Sequence, residues 1–307
     1  MRKIIGDYQN GNYRVIIFED GTKIRHTKEN EFIPSRLESV DMKITNMCDM
    51  GCPFCHEKSV PNGKHANLDN SVIDTFLPYT EIAIGGGNPL CHPNLEKFLR
   101  KLKELKCFPS MTVNQKHFLE EYDRLLEFQK ENLFYGLGIS VSHMTQDLAN
   151  KILQFPNAVV HTIAGITTSA EMREMSNLGI KKVLVLGYKV FGRGESYYNE
   201  QVQKNIDDLK ADLKEIPSLF EVLSFDNLAL NQLDVKSLMT NEEWEEFYMG
   251  DDGGYTMYID LVNEQYGQSS TSKERFSLLN TINDMFLDIR ERKYKDGAKK
   301  QKIHLLA

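Results

Sequence analysis

The chain has 307 residues, 41% of them hydrophobic and 26% charged, enough to bury a sizeable core in one large α/β domain or one domain with an appendage. Gly and Pro are not enriched and no stretch is of low complexity, which excludes a disordered or fibrous chain. The formal net charge of −7 disfavours nucleic acid as a substrate; the one basic cluster, Lys293, Lys295, Lys299, Lys300 and Lys302, reads as a solvated tail.

The N-terminus is too polar for a signal peptide. No apolar run approaches the ~18 residues that a membrane span needs, so a cytoplasmic protein with no membrane partner is expected. Residues 11–27 predict a β-hairpin, with β-branched and aromatic density at Val15–Phe18 and a tight turn at Asp20-Gly21. After a link through Pro34 the chain alternates. Strands are expected at Val40–Thr45, Glu81–Ile84, Ser110–Val113, Gly136–Val141, Ala158–Ile163 and Lys182–Leu186. Helices are expected at Ser71–Leu77, Asn94–Leu105, Lys116–Gln129, Thr145–Leu153, Ser169–Leu178 and about Asn199–Leu213. This alternation implies βαβ units and a parallel sheet, better suited to a partial or full barrel than to a two-domain dinucleotide fold. Residues 220–225 are a candidate seventh strand. Residues 247–262 resemble a second hairpin turning at Asp251–Gly254, and 271–293 an amphipathic C-terminal helix.

Five cysteines in a cytoplasmic chain read as thiols or metal ligands rather than disulfides. Three of them, Cys48, Cys52 and Cys55, follow the first barrel strand in the spacing Cys-x3-Cys-x2-Cys. Active sites of barrels lie at the C-terminal ends of strands. Soft thiolates suit an iron–sulfur cluster or zinc. Zinc needs a fourth ligand, for which His56 and Cys91 are the candidates. Three ligands alone leave one iron of a cubane open.

With Phe54 placed just before the last cysteine, this segment resembles the signature of the radical S-adenosylmethionine (SAM) superfamily, over roughly residues 38–230. The resemblance implies a partial (β/α)6 TIM-like barrel at 38–230, with an N-terminal β-hairpin extension at 1–37 and a C-terminal α+β extension at 231–307. It implies a [4Fe-4S] cluster on Cys48, Cys52 and Cys55, with SAM chelated to the open iron. Reductive cleavage of SAM to a 5′-deoxyadenosyl radical then abstracts hydrogen from substrate, and an electron donor such as flavodoxin or ferredoxin supplies the reducing electron. Gly86, Gly87 and Asn88 stand where the family carries a Gly-Gly-Glu-Pro-like stretch that receives the SAM ammonium. Asn88 replaces the usual acid, and an amide accepts a hydrogen bond but offers no charge.

Other polar residues end strands and so face the mouth. Asn114 and Gln115 follow the third strand. Ser140 and Ser142 share a face of the fourth and, by the resemblance, are candidates for SAM contact. His161 on the fifth strand reads more readily as a packed residue than as a catalyst. Lys189 and Arg193 lie on a Gly-rich loop after the sixth and are candidates for a SAM carboxylate or an anionic substrate. Asp226 and Asn227 are candidate substrate contacts, whereas Asp251, Asp252 and Asp260 fit turn chemistry as well as function. The substrate is expected to be a small molecule. A peptide-modifying maturase is the alternative, since the N-terminal hairpin offers an edge for strand addition. A non-catalytic iron–sulfur or zinc sensor is the second. No cysteine follows Cys107, so auxiliary clusters are not expected.

Overall fold

The computed structural model describes residues 2–295. Its elements run β1 (Ile4–Asn10), β2 (Tyr13–Phe18), β3 (Lys23–His26), β4 (Ser39–Thr45), β5 (Glu81–Gly86), α1 (Leu95–Glu104), β6 (Phe108–Asn114), α2 (Gln115–Glu120), α3 (Tyr122–Lys130) and β7 (Gly136–Ser140). They continue as α4 (Gln146–Ile152), β8 (Ala158–Ile163), α5 (Ser169–Asn177), β9 (Lys182–Leu186), α6 (Arg193–Tyr197), α7 (Glu200–Asp212), β10 (Val222–Phe225), α8 (Asn227–Gln232) and α9 (Asn241–Phe247). The last are β11 (Thr256–Asp260), β12 (Gln265–Gly267), β13 (Phe276–Ser277) and α10 (Ile282–Lys295). No described helix is long and apolar enough to cross a membrane.

The strands form two sheets. The larger has ten strands in the order β10-β9-β8-β7-β6-β5-β4-β11-β12-β13. Every pairing from β10 to β11 is parallel, and β12 and β13 add antiparallel. All six expected barrel strands are present, and the candidate seventh forms β10. The second hairpin is corrected: β11 does not fold back at Asp251–Gly254 but pairs parallel with β4, and its antiparallel partner is β12. Local pattern could not show this, because β4 lies more than two hundred residues away. Three helices are also corrected. Ser71–Thr75 is a single 3-10 segment, the helix expected at 116–129 breaks at Glu121, and the C-terminal helix starts at Ile282. Lys295, at the end of α10, has no described side chain, and Lys299, Lys300 and Lys302 lie outside the described residues.

The large sheet is open, with no ladder joining β10 to β11. It is nonetheless strongly curled. Laid flat, seven strand spacings would separate β10 from β11 by about 34 Å. Instead Asn227, at the start of α8 after β10, donates from Nδ2 to Asp252 Oδ1 at 2.7 Å, on the loop that leads into β11. Strand alternation divides the two faces. Val40, Met42, Ile44, Ile82, Ile84, Met111, Val113, Leu137 and Ile139 are buried in one core cluster with Leu95, Phe98, Leu99 and Leu102 of α1. The residues between them, including Asp41, Lys43, Ala83, Ser110, Thr112 and Gly138, line the inner face.

The predicted N-terminal hairpin is β2–β3, but β1 joins it to make a three-stranded antiparallel sheet. Gly6 and Asp7 interrupt the apolar alternation of β1, which hides it in the sequence. This sheet packs under the N-terminal ends of the large sheet's strands. Tyr8 stacks on Tyr79 ahead of β5, the Tyr135 hydroxyl ahead of β7 donates to Phe18 O, and Asn157 ahead of β8 donates to Glu19 O. The anchor is Glu38, fully buried immediately before β4. Its carboxylate accepts from Arg25 Nε and Nη2 at 3.0 Å, from the Tyr13 hydroxyl and from Asn10, with Lys23 at 3.4 Å. Burial alone would raise the Glu38 carboxyl, but Arg25 and Lys23 outweigh it and hold it below the ordinary value.

Truncating Glu38 to Ala leaves the nearly buried Arg25 without its counter-charge, while Lys23 keeps Glu81, so about 3–5 kcal/mol of stability should be lost in urea denaturation. A loss under about 1 kcal/mol, the range of exposed pairs, would contradict this role.

Candidate active site

The cysteine loop leaves the C-terminal end of β4 and is held from three sides. Cys48 N donates to Val60 O at 2.9 Å, closing the loop on itself. The loop after β9 clamps its far end. Arg193 N donates to Cys55 O at 3.0 Å, and the Arg193 guanidinium donates to Cys52 O at 2.9 Å and to Ser59 O at 3.0 Å. Any side chain at Gly192 would strike His56 O at 2.3 Å, so this glycine at φ +60° is required by the close approach of the two loops. From below, Lys43 Nζ reaches Glu57 at 2.7 Å and Asp260 at 3.2 Å, with all three side chains nearly buried. Phe54 meets Tyr197 edge-on at 5.8 Å.

The three thiols are half-buried. Burial raises Cys48 and Cys52, and the neighbouring thiols raise each of them further, so the sulfurs lie close enough to repel one another as thiolates. Three soft donors on one loop fit an iron–sulfur centre, and among the described residues the three sulfurs do not gather within 4.8 Å as ligands of a single zinc ion would. Cys48 Sγ, an Asp49 oxygen and a His117 ring nitrogen lie within 4.8 Å of one another. The ion pair of Asp49 with Lys116 and His117, at 2.6 Å each, explains that grouping and holds the Asp49 carboxyl down at about 2. Of the candidate fourth ligands, His56 faces Lys189 and Glu57, and Cys91 donates to Asn88 O.

The glycine loop after β5 lies against the same cysteine loop. Gly87 N donates to Thr45 O and Asn88 N to Met47 O, both at 2.7 Å. A Cβ at Gly86 or Gly87 would meet these backbones at 2.4 and 2.2 Å, whereas Gly85 faces open space. Gly86 and Gly87 are thus required by loop packing alone, and Gly85 leaves room for a ligand. The Asn88 side chain caps the short turn that follows by accepting from Leu90 N at 3.1 Å.

The remaining candidates divide into two groups. Asn114 caps α2, and Gln115 Oε1 accepts from Ser142 N and His143 N, tying the ends of β6 and β7. Ser140, half-buried, pairs in register with Asn114 on one side and His161 on the other. The His161 ring lies over Gly138, where a Cβ would meet it at 2.3 Å; its Nδ1 has no partner, and burial lowers it to about 4. These residues share the C-terminal rim with the glycine loop. Lys189 instead donates to Ser270 at 3.1 Å, Asp226 caps α8 and accepts from Gly187 N, and Asn227 bridges to the loop before β11. Asp251 accepts from the Tyr248 hydroxyl. Sequence reading singled out Lys189 and Arg193 as cations for a ligand. Arg193 is engaged by loop carbonyls, a contact between residues 141 apart that no local pattern signals.

Two inner-face charges on β4 escaped the sequence reading. Lys43 is neutralised by Glu57 and Asp260. Asp41, two residues earlier, is exposed on the inner face and makes no side-chain hydrogen bond or ion pair among the described residues. Desolvation inside the curl of the sheet, then Asp252 and Asp226, raise its carboxyl to about 6 against the opposing pull of Lys189. A charged pair at alternate positions of a strand otherwise rich in buried residues was the available signal.

No protein-family model matches the sequence, and no curated protein matches it. Solved structures do share the fold. Streptococcus suis SuiB bound to S-adenosylmethionine superposes with a TM-score of 0.55 at 16% identity, covering 84% of this chain and 68% of that one. SuiB bound to its precursor peptide SuiA gives 0.51 at 14% identity, covering 88% of this chain and 63% of that one. The chain therefore has the mixed α/β fold, with its large parallel sheet, of a protein that binds SAM.

Replacing Arg193 with Lys keeps the charge but cannot bridge two carbonyls in a fixed fork. The amides of the cysteine loop should exchange hydrogen faster, with the fold intact by circular dichroism; unchanged exchange would refute the clamp. For Asp41→Asn, the sign follows from the raised carboxyl. The native protein favours the protonated form, so stability is full below the ordinary value near 4 and is lost as pH rises through about 6. The variant should melt above the parent at neutral pH, and the gap should close toward pH 4. A gap that does not change with pH would refute this.

Proposed function

We propose that this chain is a radical SAM enzyme whose curled parallel sheet is a partial barrel of that superfamily. The observation that carries the reading is the placement of three convergent thiols on the loop after the first parallel strand, in a fold shared with a SAM-bound protein. Cys48, Cys52 and Cys55 would hold a [4Fe-4S] cluster. When bound, the cluster passes one electron to SAM, whose cleavage supplies a 5′-deoxyadenosyl radical for hydrogen abstraction.

The chain's own residues set the conditions for that chemistry. Arg193 and Lys43 hold the cysteine loop in place. The open face of Gly85 lets a ligand approach the backbone, and Gly86 and Gly87 let that loop lie on the cysteine loop. Asn88, Asn114 and Ser140 present hydrogen-bonding groups along the rim where SAM would lie. The N-terminal sheet covers the opposite end, which leaves the rim as the end where substrate would enter. We assign residues 1–37 to this floor, 38–230 to the catalytic core and 231–307 to an extension that widens the sheet. The reducing electron would come from a flavodoxin or ferredoxin in the cytoplasm.

The substrate is a small molecule or a peptide segment that reaches the interior from the rim. The peptide reading draws support from the precursor peptide held by SuiB in the same fold. Docking on the N-terminal hairpin is not needed to explain that segment, because its sheet packs under the strands.

Anaerobic reconstitution of the full chain should give an iron–sulfur absorbance band and, after reduction, 5′-deoxyadenosine or methionine from SAM. Cys52→Ala should abolish the band and SAM cleavage together. A folded wild-type protein that forms no cluster, or a cluster-bearing one that never cleaves SAM, would overturn the assignment.

A further inference from the structure

The inner face of the sheet has a floor, a rim and one charge at mid-depth without a partner. Asp41 lies four residues before the end of β4, about 13 Å below the rim along the strand. In register beside it run Ala83, Ser110 and Gly136 on β5, β6 and β7. These residues present a methyl, a hydroxymethyl and a hydrogen, so the wall next to the carboxylate is thin. Ala83 and Asp41 are both exposed although they sit in the middle of the sheet's inner face. They therefore line an interior space rather than packed core. On the other side Asp41 meets the buried Tyr258 of β11.

The charges that face Asp41 are already satisfied elsewhere. Asp226 accepts from Gly187 N and Ala229 N, Asp252 accepts from Asn227, and Lys189 donates to Ser270. Among these charges Lys189 acts most strongly on Asp41, and Asp252 and Asp226 oppose it. Asp41 is open to the sheet's interior, whereas Glu38, three residues earlier, is buried and fully paired. An unpaired carboxylate on a concave face attracts a cation by charge as well as by hydrogen bonding.

We propose that Asp41 is a substrate-binding residue that receives an organic cation, an ammonium or a guanidinium, at the end of a slender chain reaching down from the rim. This rests on the reading that substrate enters the sheet's interior from the cysteine-loop end. The cation would anchor the chain at depth and leave a carbon on the order of 10 Å away, near the rim, where a radical would act. Ionisation of Asp41, with Tyr258, Lys189, Asp226 and Asp252 around it, makes binding favour neutral over acidic pH.

Calorimetry on the reconstituted full chain tests this with n-hexylamine, n-hexylguanidine, 1-hexanol and hexanoate. At about pH 7.5 the cations should bind, and Asp41→Asn should weaken them about tenfold or more, as loss of a charge-assisted hydrogen bond does. At about pH 5 wild-type affinity should fall. The tighter of amine and guanidine identifies the cation. A thermal melt confirms that the variant is folded. The proposal is overturned if the variant binds the cations as the parent does, or if hexanol or hexanoate binds as tightly as the amine. Heats of binding require no turnover, so a protein that selects cations but never cleaves SAM would retract the enzymatic reading alone.

Discussion

A single buried carboxylate sets the frame of this molecule. Glu38 sits at the point where the chain leaves the N-terminal sheet and begins β4, the strand that delivers the cysteine loop. Removing a carboxylate from water costs several kcal/mol unless cations and donors replace the lost hydration. Arg25, Lys23, Tyr13 and Asn10 make that replacement, and all four come from the small sheet or its turn. The cost of burying Glu38 is thus met only when the small sheet is seated under the large one. Assembly of the floor and placement of the first strand are one event.

That arrangement explains why an open sheet can form an enclosed site. Parallel sheets need cover on both faces. Here the outer face has the helices, and the inner face curls on itself until α8 reaches the loop before β11. The remaining openings are the two ends. The N-terminal sheet covers one with aromatic, ionic and hydrogen-bond contacts at the starts of β5, β6, β7 and β8. The other is left to the strand ends and the loops that follow them, which carry the cysteines, the open face of Gly85 and His161, whose Nδ1 has no partner among the described residues. Chemistry collects at that end because the other is occupied.

Much of this was legible in the sequence where the signal was local. Apolar runs of Val, Ile and Leu marked the central parallel strands, and the cysteine spacing marked the loop. What was hidden was non-local or interrupted. β1 carries Gly6 and Asp7 within its run. β11 looked like half of a hairpin because its partner across the sheet, β4, lies at the other end of the chain. Arg193 looked like a free cation because the carbonyls it holds belong to the cysteine loop. Gly86 and Gly87 suggested a ligand, although their contacts show that packing alone demands them; Gly85, the glycine with free space, was not distinguished from them. The candidate site was therefore located correctly as a region, and its residues were only partly sorted into those that build it and those that face a ligand.

Three charged residues within six positions make that sorting visible along one strand. Glu38 is fully paired and holds the floor. Lys43 is paired with Glu57 and Asp260 and holds the cysteine loop and β11 together. Asp41, between them, has the same chemistry as Glu38, yet it is exposed on the inner face and has no partner among the described residues. Side chains able to pair with a carboxylate occur on both sides of it, so the fold does not lack the means. Pairing Asp41 within the protein would stabilise the sheet and fill its interior with a permanent ion pair. Leaving it unpaired costs stability and keeps the interior selective. Selection at mid-depth, rather than at the rim, also suits radical chemistry: the rim must accommodate cofactor and reacting carbon in any substrate, while the distance down to Asp41 discriminates one chain length and one charge from another.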